Sequence, residues 1–237
     1  MKASKQGPAG RQPVKTMVDK ILTFCYTFYE HVHKNVRMHF SGRRGQGGKG
    51  GAAMPKIIDE AREKILSAAK HTLLGQGYSA LSLRGVARQC GIAVGTIYNY
   101  FESKDMLIAC IMVEDWEKAL AQMDAACAAA RTAGEGLAAM HGAIRQFASI
   151  YEGVWSQFFS AGGAPGVVAG RHGMLRGQLA ARIQALAARL GCGAQSLQLA
   201  PLAAEAVLAA AMQADIPAAH IILLADRLFP AGNAHVR

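Results

Sequence analysis

The chain has 237 residues, of which 51% are hydrophobic, and it carries a net charge of +10 at pH 7. This length is enough for one or two domains with a real core, and no run of 18 uncharged apolar residues is present that could form a membrane-spanning helix. The five cysteines are widely spaced without a CxxC pair, which favours reduced thiols in a cytoplasmic protein over disulfides or a zinc site.

The positive charge is concentrated at the N-terminus. Residues 1–53 carry a net charge of +8, residues 54–110 carry +2, and residues 111–237 are neutral. A basic protein invites a nucleic-acid interpretation, but most of the charge here lies outside the regularly patterned part of the chain. An argument for DNA binding must therefore depend on a motif.

Residues 1–53 differ in composition from the rest of the chain. They are polar and basic, and they end in a Gly-rich linker. No continuous apolar segment leads to a cleavage site, so a signal peptide is not predicted. The favoured interpretation is a disordered extension upstream of a translation start at Met54. The alternative is a basic arm that contacts DNA phosphates through Arg43, Arg44 and Lys49.

Residues 55–74 are predicted to form the first helix. Apolar residues recur every three or four positions and make one stripe, formed by Ile58, Ala61, Ile65, Ala69 and Leu73. Gly75 and Gly77 are expected to end this helix. The stripe predicts that the helix packs against the elements that follow it.

The segment 81–107 predicts two short helices joined by a tight turn and followed by a longer one. Ser82 has the side chain that an N-cap needs, ahead of a helix at Leu83–Cys90. Gly91 permits the positive φ of a sharp turn before a second helix at Val94–Phe101. Five apolar residues are spaced to form one small core: Val86, Ala87, Ile92, Ile97 and Phe101. This pattern is typical of a helix-turn-helix, whose second helix enters the DNA major groove.

A long ordered motif lies within this segment. The sequence GIAVGTIYNYF at 91–101 is followed by Ser103, Lys104, Asp105 and Leu107. This combination resembles the signature of the TetR (tetracycline-repressor-like) family of transcriptional regulators. The resemblance begins near the start of the first helix and ends at Leu107. It implies an N-terminal DNA-binding domain followed by a helical domain that varies with the ligand.

Two positions depart from the family pattern. The family usually has a small hydroxyl residue where Ala93 stands, and alanine cannot cap the recognition helix, a loss of about 1 kcal/mol. Where Val94 stands, the family often has a basic or polar residue. Valine cannot bond a phosphate or a base, although it can contact a thymine methyl group. These departures bear on which DNA sequence is read, whereas the docking mode is expected to be that of the family.

Candidate DNA-binding residues come from the helix-turn-helix and its flanks. Thr96 lies early on the recognition helix, and Asn99 suits adenine if it points into the groove. The resemblance implies that Tyr98 contacts bases or backbone and that Tyr100 bonds a phosphate. The full set is Ser82, Arg84, Val94, Gly95, Thr96, Tyr98, Asn99, Tyr100 and Lys104.

The rest of the chain predicts helices without any β pattern. From Ser103 a helix is expected to run to about Ala130, with a break at Ala133-Gly134. Further helical patterns include a stripe that ends at Tyr151, a short piece at 154–161, and the segments 175–190, 199–212 and 218–229. The predicted fold is all-α, with an extension at 1–53, a three-helix DNA-binding domain at 54–105, and a helical ligand-binding and dimerisation domain at 106–237.

The family resemblance implies an inducer pocket between the helices of the second domain. Because few charges point into this region, the ligand is predicted to be apolar or aromatic. Aromatic and Met residues at helical spacing also occur as ordinary core, which is the competing interpretation. The candidate ligand-binding residues are Trp116, Met140, Phe147, Tyr151, Trp155, Phe158 and Phe159.

The last two helices are predicted to form a dimer interface. Their apolar stripes exceed what a terminal hairpin can bury, and pairing with a second copy would make a four-helix bundle. The first stripe contains Leu199, Leu202, Ala203, Ala206, Val207 and Ala210. The second contains Ile221, Ile222, Leu224, Ala225, Leu228 and Phe229.

These features together predict a dimeric repressor that binds a palindromic operator and leaves it when an inducer binds. A helix-turn-helix protein without an effector is the alternative. A more remote alternative is an enzyme, since the sequence lacks the hydrolase motif G-x-S-x-G, the zinc-protease motif HExxH and any His/Cys set at metal-binding spacing. A recombinase or a sigma-like factor would need further domains. No catalytic residue, metal ligand or cofactor is predicted.

Overall fold

The computed structural model describes residues 55–160, 172–213 and 215–230, and within them the chain forms helices and no strand. The predicted all-α fold is confirmed for this part of the chain. The interpretations of residues 1–53 lie outside the described residues. None of the described helices combines the length and hydropathy needed to cross a bilayer.

The first four helices of the described part follow the order that the sequence predicts. They are α1 (Pro55–Gln76), α2 (Leu83–Cys90), α3 (Val94–Tyr98) and α4 (Lys104–Ala129). We call α1 to α3 the head. Gly75 does not end α1; the helix continues to Gln76, and Gly77 follows with a φ of 87°.

The ends of α2 and the start of α4 have the predicted caps. Ser82 Oγ accepts a hydrogen bond from the Gly85 N–H at 3.1 Å, and Ser103 Oγ accepts one from the Met106 N–H at 3.1 Å. Gly91 has a φ of 69°, a left-handed conformation that suits glycine. Side-chain capping thus fixes where these two helices begin, as the serines predict.

A small core holds the head together. Val86, Ala87, Ile97 and Phe101 are buried, as predicted, whereas Ile92 is only partly buried against them. The stripe of α1 contributes buried Ile65, Ala69 and Leu73. The apolar side chains of the recognition segment therefore fix it against the core of the head.

The recognition helix is shorter than predicted, because it ends at Tyr98 and not at Phe101. Beyond Tyr98 the backbone tightens: the Asn99 N–H bonds to Thr96 O at 3.2 Å, and the Tyr100 N–H bonds to Ile97 O at 2.9 Å. These bonds span three residues and form a turn that directs Phe101 into the core. The Phe101 N–H also bonds to Ile97 O, at 2.9 Å, so the chain leaves the helix through one hydrogen-bonded turn that ends at buried Phe101.

Five further helices form the body together with α4. They are α5 (Ala133–Ser160), α6 (His172–Arg189), α7 (Ala194–Gln198), α8 (Ala200–Ala211) and α9 (Ala218–Leu228). The predicted segment 199–212 corresponds to α8, and Leu199 separates it from α7, a short helix that was not predicted.

The stripe predicted up to Tyr151 and the short piece predicted at 154–161 belong to one helix, since α5 is continuous to Ser160. Its buried stripe continues from Phe147 through Tyr151 to Val154 at helical spacing, so the same face remains buried. This long helix packs against α4, α8 and α9, and α6 packs against α8. At Gly136 of α5, an added Cβ would lie 2.3 Å from Leu186 Cδ2 of α6, so glycine permits their close approach.

Candidate nucleic-acid interface

The predicted DNA-binding residues all lie at the surface of the head or at the start of α4. Ser82, Arg84, Gly95, Tyr98 and Asn99 are exposed, and Val94, Thr96, Tyr100 and Lys104 are half-buried. None is part of the buried core, so each of them is available to a partner molecule.

The recognition helix has one anchored face and one open face. Ile97 is fully buried, whereas its neighbour Tyr98 keeps 52% of its surface exposed. A large aromatic side chain that stays this exposed is available for contact with a partner. Thr96, on the other side of Ile97, is half-buried.

Gly95 is an exposed glycine inside a helix. A Cβ added there would meet nothing within 4 Å, so no contact within the chain requires a glycine. Its φ is not positive, so the backbone does not require one either. Glycine in a helix lowers stability, and the missing side chain leaves this backbone open to close approach by another molecule.

The start of α3 has no side-chain cap. Ala93 occupies the N-cap with φ −64° and ψ 143°, and it makes no capping hydrogen bond. The predicted consequence of alanine at this position is therefore visible in the structure. A helix of five residues without a cap depends on its packed residues for stability.

Tyr100 and Tyr78 lie in different settings within the head. The Tyr100 ring lies against Phe101 with ring centroids 6.4 Å apart. Tyr78, which precedes α2, donates its Oη–H to Asp105 Oδ1 at 3.0 Å. The first is held beside the recognition helix, and the second ties the turn before α2 to the first turn of α4.

Lys104 lies over the ring of Tyr78, with Nζ 3.7 Å from the ring centroid. Burial lowers the pKa of Lys104, while the neighbouring Asp105 carboxylate raises it. For Tyr78, burial and the hydrogen bond to Asp105 raise the pKa to about 12. Tyr78 is a positioning partner for Lys104 that no sequence signal identified, because a spacing of 26 residues follows no local period.

The head is joined to the body by paired charges. Arg62 of α1 bonds Glu114 of α4 at 2.9 Å. Lys70 of α1 bonds Asp115 Oδ1 of α4 at 2.6 Å, and Tyr151 Oη of α5 donates to Asp115 Oδ2 at 2.6 Å. We call Lys70, Asp115 and Tyr151 the Asp115 junction.

Four of the predicted ligand-binding residues are described, and all are buried: Trp116, Met140, Phe147 and Tyr151. The Trp116 and Phe147 rings meet edge to face at 5.3 Å, and the Phe147 and Tyr151 centroids are also 5.3 Å apart. Trp116 Nε1 donates to Gln178 Oε1 of α6 at 3.0 Å. We call Trp116, Phe147 and Tyr151 the aromatic cluster. The side chains of Trp155, Phe158 and Phe159 lie outside the described part.

A groove of about 340 Å³ lies elsewhere, between α4 and α6. Its charged side chains already have partners: Arg182 Nη2 donates to Asp124 Oδ2 at 2.9 Å, and Arg189 Nη2 donates to the Cys127 carbonyl at 2.7 Å. The predicted ligand-binding residues are not among those that line it. Among the described residues, no group of three or more His, Cys, Asp or Glu side chains is arranged to hold a metal ion.

The two predicted interface stripes are only partly exposed. The chain's own core buries Ala203, Val207, Ala210, Ile221, Ala225 and Phe229. Leu202 of α8 keeps 61% of its surface exposed, and on α9 Leu223 keeps 60%, next to exposed Ile222. Leu223 was not in the predicted stripe. The exposed apolar surface is therefore narrower than the sequence predicted.

The chain is similar to bacterial regulators over its N-terminal part. Residues 65–111 match the family model described as bacterial regulatory proteins, tetR family. The HTH-type transcriptional regulator UidR of Escherichia coli K12 is 38% identical over 61 residues, which cover 26% of this chain and 31% of UidR. The HTH-type transcriptional repressor KstR of Mycolicibacterium smegmatis is 34% identical over 87 residues, which cover 37% of this chain and 43% of KstR.

The matched segments therefore span about a third to under half of these relatives. A comparison of structures extends the similarity to a larger part of the chain. A solved TetR-family transcriptional regulator from Pectobacterium atrosepticum superposes with a TM-score of 0.52 at 19% identity, covering 74% of this chain and 95% of that one. The helical body thus shares an overall fold with that protein.

Proposed function

We propose that this chain is a DNA-binding transcriptional regulator of the TetR family of bacterial regulatory proteins, because residues 65–111 match the model of that family. It acts as a repressor that binds a palindromic operator as a homodimer and leaves the operator when a small apolar or aromatic molecule binds. Such a protein works on the chromosome, which places it in the cytoplasm.

The observation that carries the DNA-binding proposal is the open face of α3. Ile97 anchors this helix in the core, while Tyr98 stays exposed, and Gly95 offers its backbone without a side chain. A helix with one face packed in the core and the other exposed to solvent can enter a major groove. Thr96 and Asn99 supply donors and acceptors for base edges, and Ser82, Arg84, Tyr100 and Lys104 supply partners for phosphates.

We divide the chain into functional parts at the predicted boundaries. Residues 54–105 read DNA, and residues 106–237 bind the ligand and form the dimer. Exposed Leu202, Ile222 and Leu223 support dimerisation through α8 and α9, because large apolar side chains on adjacent helices favour burial against a second copy. A dimer presents two heads to successive major grooves.

The aromatic cluster supports an apolar or aromatic effector. The proposed contacts of this ligand are Trp116, Met140, Phe147 and Tyr151, and the sequence adds Trp155, Phe158 and Phe159 as further candidates. Direct contact between the rings favours the second candidate, a DNA-binding protein without an effector. Thermal-shift screening separates the two. Stabilisation by aromatic compounds supports an effector, and stabilisation only by small hydrophilic compounds refutes an apolar ligand.

The DNA-binding proposal is tested by selecting bound fragments from a genomic pool with the full chain. We expect enrichment of a palindromic sequence. On that sequence and on random DNA, Tyr100→Phe should weaken binding about equally, because a phosphate contact is independent of sequence. Thr96→Ala should reduce discrimination. Failure to enrich any sequence would contradict the proposal, and a sequence-selective loss with Tyr100→Phe would contradict the role of Tyr100.

A further inference from the structure

Asp115 joins three helices that belong to different parts of the molecule. It lies on α4, and its side chain is only 9% exposed. One carboxylate oxygen bonds Lys70 of α1, and the other accepts the hydroxyl of Tyr151 of α5, both at 2.6 Å. The head and the body thus contact opposite oxygens of one buried group.

We propose that the Asp115 junction sets the orientation of the head on the body, and that Tyr151 is a positioning residue for DNA binding. The inference rests on the proposed function, because the orientation matters only if the head reads DNA. It adds a defined route by which the region of the aromatic cluster acts on the head.

The geometry of the junction makes it sensitive to small movements. Hydrogen bonds to an ionised carboxylate are stronger than neutral ones, and they depend on distance and direction. Asp115 is mostly shielded from water, so a lost partner is not fully replaced by solvent. A shift of α5 against α1 therefore breaks one of the two bonds at a free-energy cost.

Tyr151 also belongs to the aromatic cluster. Its ring lies against Phe147, which in turn meets Trp116. A molecule that separates these rings moves the ring that holds the hydroxyl on Asp115. The same side chain therefore contacts the predicted ligand region and the support of the head.

A second contact between α5 and the head supports the same conclusion. The Ser79 N–H, in the turn between α1 and α2, donates to Gln157 Oε1 of α5 at 3.2 Å. The Gln157 side chain also lies over Gly77, where an added Cβ would be 2.8 Å from its Nε2. The C-terminal part of α5 is thus linked to the head at two places, directly through Gln157 and by way of Asp115 through buried Tyr151.

Three single variants of the full chain test the junction. Tyr151→Phe removes the hydroxyl and keeps the ring. Lys70→Met removes the charge and keeps an unbranched apolar side chain of similar length. Lys118→Met is the matched control, because Lys118 Nζ also faces Asp115 Oδ1, at 3.6 Å, but lies on α4 itself and is 68% exposed.

The measured quantities are operator affinity and amide hydrogen exchange, with the operator duplex selected from the genomic pool. We expect Tyr151→Phe and Lys70→Met each to weaken operator binding about three- to thirtyfold. The double variant should lose little more than either single variant. Lys118→Met should change affinity by less than about twofold. Operator binding should slow exchange in residues 147–154 of the wild type but not of Tyr151→Phe.

The exchange measurement separates positioning from simple stability. If Tyr151→Phe lowers the melting temperature but keeps wild-type operator affinity and operator-induced protection, Tyr151 is a core residue and the inference is wrong. Additive effects of Tyr151→Phe and Lys70→Met would also overturn it. A wild-type protein that binds no duplex removes the proposed function together with this inference, whereas normal binding by all variants removes only the inference.

Discussion

Gly95 is a residue at which stability and DNA binding are expected to conflict. Alanine has room there and is a better helix former, so Gly95→Ala should stabilise the fold by up to about 0.5 kcal/mol. The added methyl group would stand on the face proposed to approach DNA. We therefore expect operator affinity to fall about tenfold or more while the urea midpoint rises.

Gly142→Ala is the matched control for this prediction. Gly142 is an exposed glycine within α5, and a Cβ added there also meets nothing within 4 Å. The substitution should raise stability by a similar amount and leave operator affinity unchanged. If Gly95→Ala binds the operator as well as Gly142→Ala does, the backbone at Gly95 does not approach DNA.

Tyr78 gives the head a defined response to alkaline pH. Burial and the hydrogen bond to Asp105 raise its pKa from 10.0 to about 12. Below pH 10 the phenol is neutral in both folded and unfolded chains. Between pH 10 and 12 the unfolded chain ionises first, so this residue's contribution to stability is lost as the pH rises.

The response can be isolated with Tyr78→Phe, which keeps the ring beneath Lys104. Urea midpoints should be measured for both proteins at pH 9 and pH 11. We expect the wild type to lose more stability over this interval than the variant, because only the wild type has the perturbed phenol. An equal loss of stability in the wild type and in Tyr78→Phe would show that Tyr78 is not the group that titrates.

At the scale of elements, the recognition helix is stabilised by packing and not by capping. Ala93 already has the extended backbone of an N-cap and lacks only the side-chain oxygen. Ala93→Ser should therefore stabilise the protein by about 0.5–1 kcal/mol, measured by urea unfolding. Ser82→Ala, which removes an existing cap of α2, should cost about 1 kcal/mol.

Ala93→Val serves as the control for the capping prediction. Valine fits an extended backbone but has no oxygen that accepts a hydrogen bond. It should give no gain in stability. If valine stabilises the protein as much as serine does, the benefit comes from burial, and the capping explanation is incorrect.

The elements that could be predicted from sequence are those whose ends are encoded locally. Ser82 and Gly91 mark both ends of α2, and its predicted bounds agree with the structure. The predicted end of α3 was three residues too late, because the helix passes into a hydrogen-bonded turn over Asn99 and Tyr100 that no glycine or proline marks in the sequence. The continuity of α5 was missed for the same reason, since its buried face has no break that composition reveals.

The Asp115 junction was not predictable from the sequence. Lys70 and Tyr151 lie 45 and 36 residues from Asp115, and no short-range pattern relates residues at such distances. In sequence, Tyr151 was one member of an apolar stripe. Only the packing of α1 and α5 on the same face of α4 brings the three groups together.

At the scale of the whole molecule, dimerisation is expected to depend on a few exposed leucines. Leu202→Glu and Leu223→Glu each place a charge where the proposed interface is apolar, so each should convert a dimer to a monomer in sedimentation experiments. The fold itself should change by only about 0.5 kcal/mol, because both side chains are exposed in the single chain.

Leu74→Glu is the control for the dimer prediction, because Leu74 is also an exposed leucine but lies on α1. It should leave the sedimentation coefficient unchanged. A wild-type protein that sediments as a monomer at micromolar concentration would contradict the dimer. Loss of the dimer in Leu74→Glu as well would place the interface elsewhere.

The brevity of α3 limits how much sequence information one head can extract. Five helical residues rise about 7.5 Å, which spans about two base pairs at roughly 3.4 Å each. If the helix distinguishes all four possibilities at each of two base pairs, it accepts about one random site in sixteen. A chromosome offers on the order of a million competing sites or more, so one recognition helix cannot select a single operator among them. In the proposed dimer, most of the discrimination must then come from flanking residues, duplex deformability and the fixed separation of two half-sites.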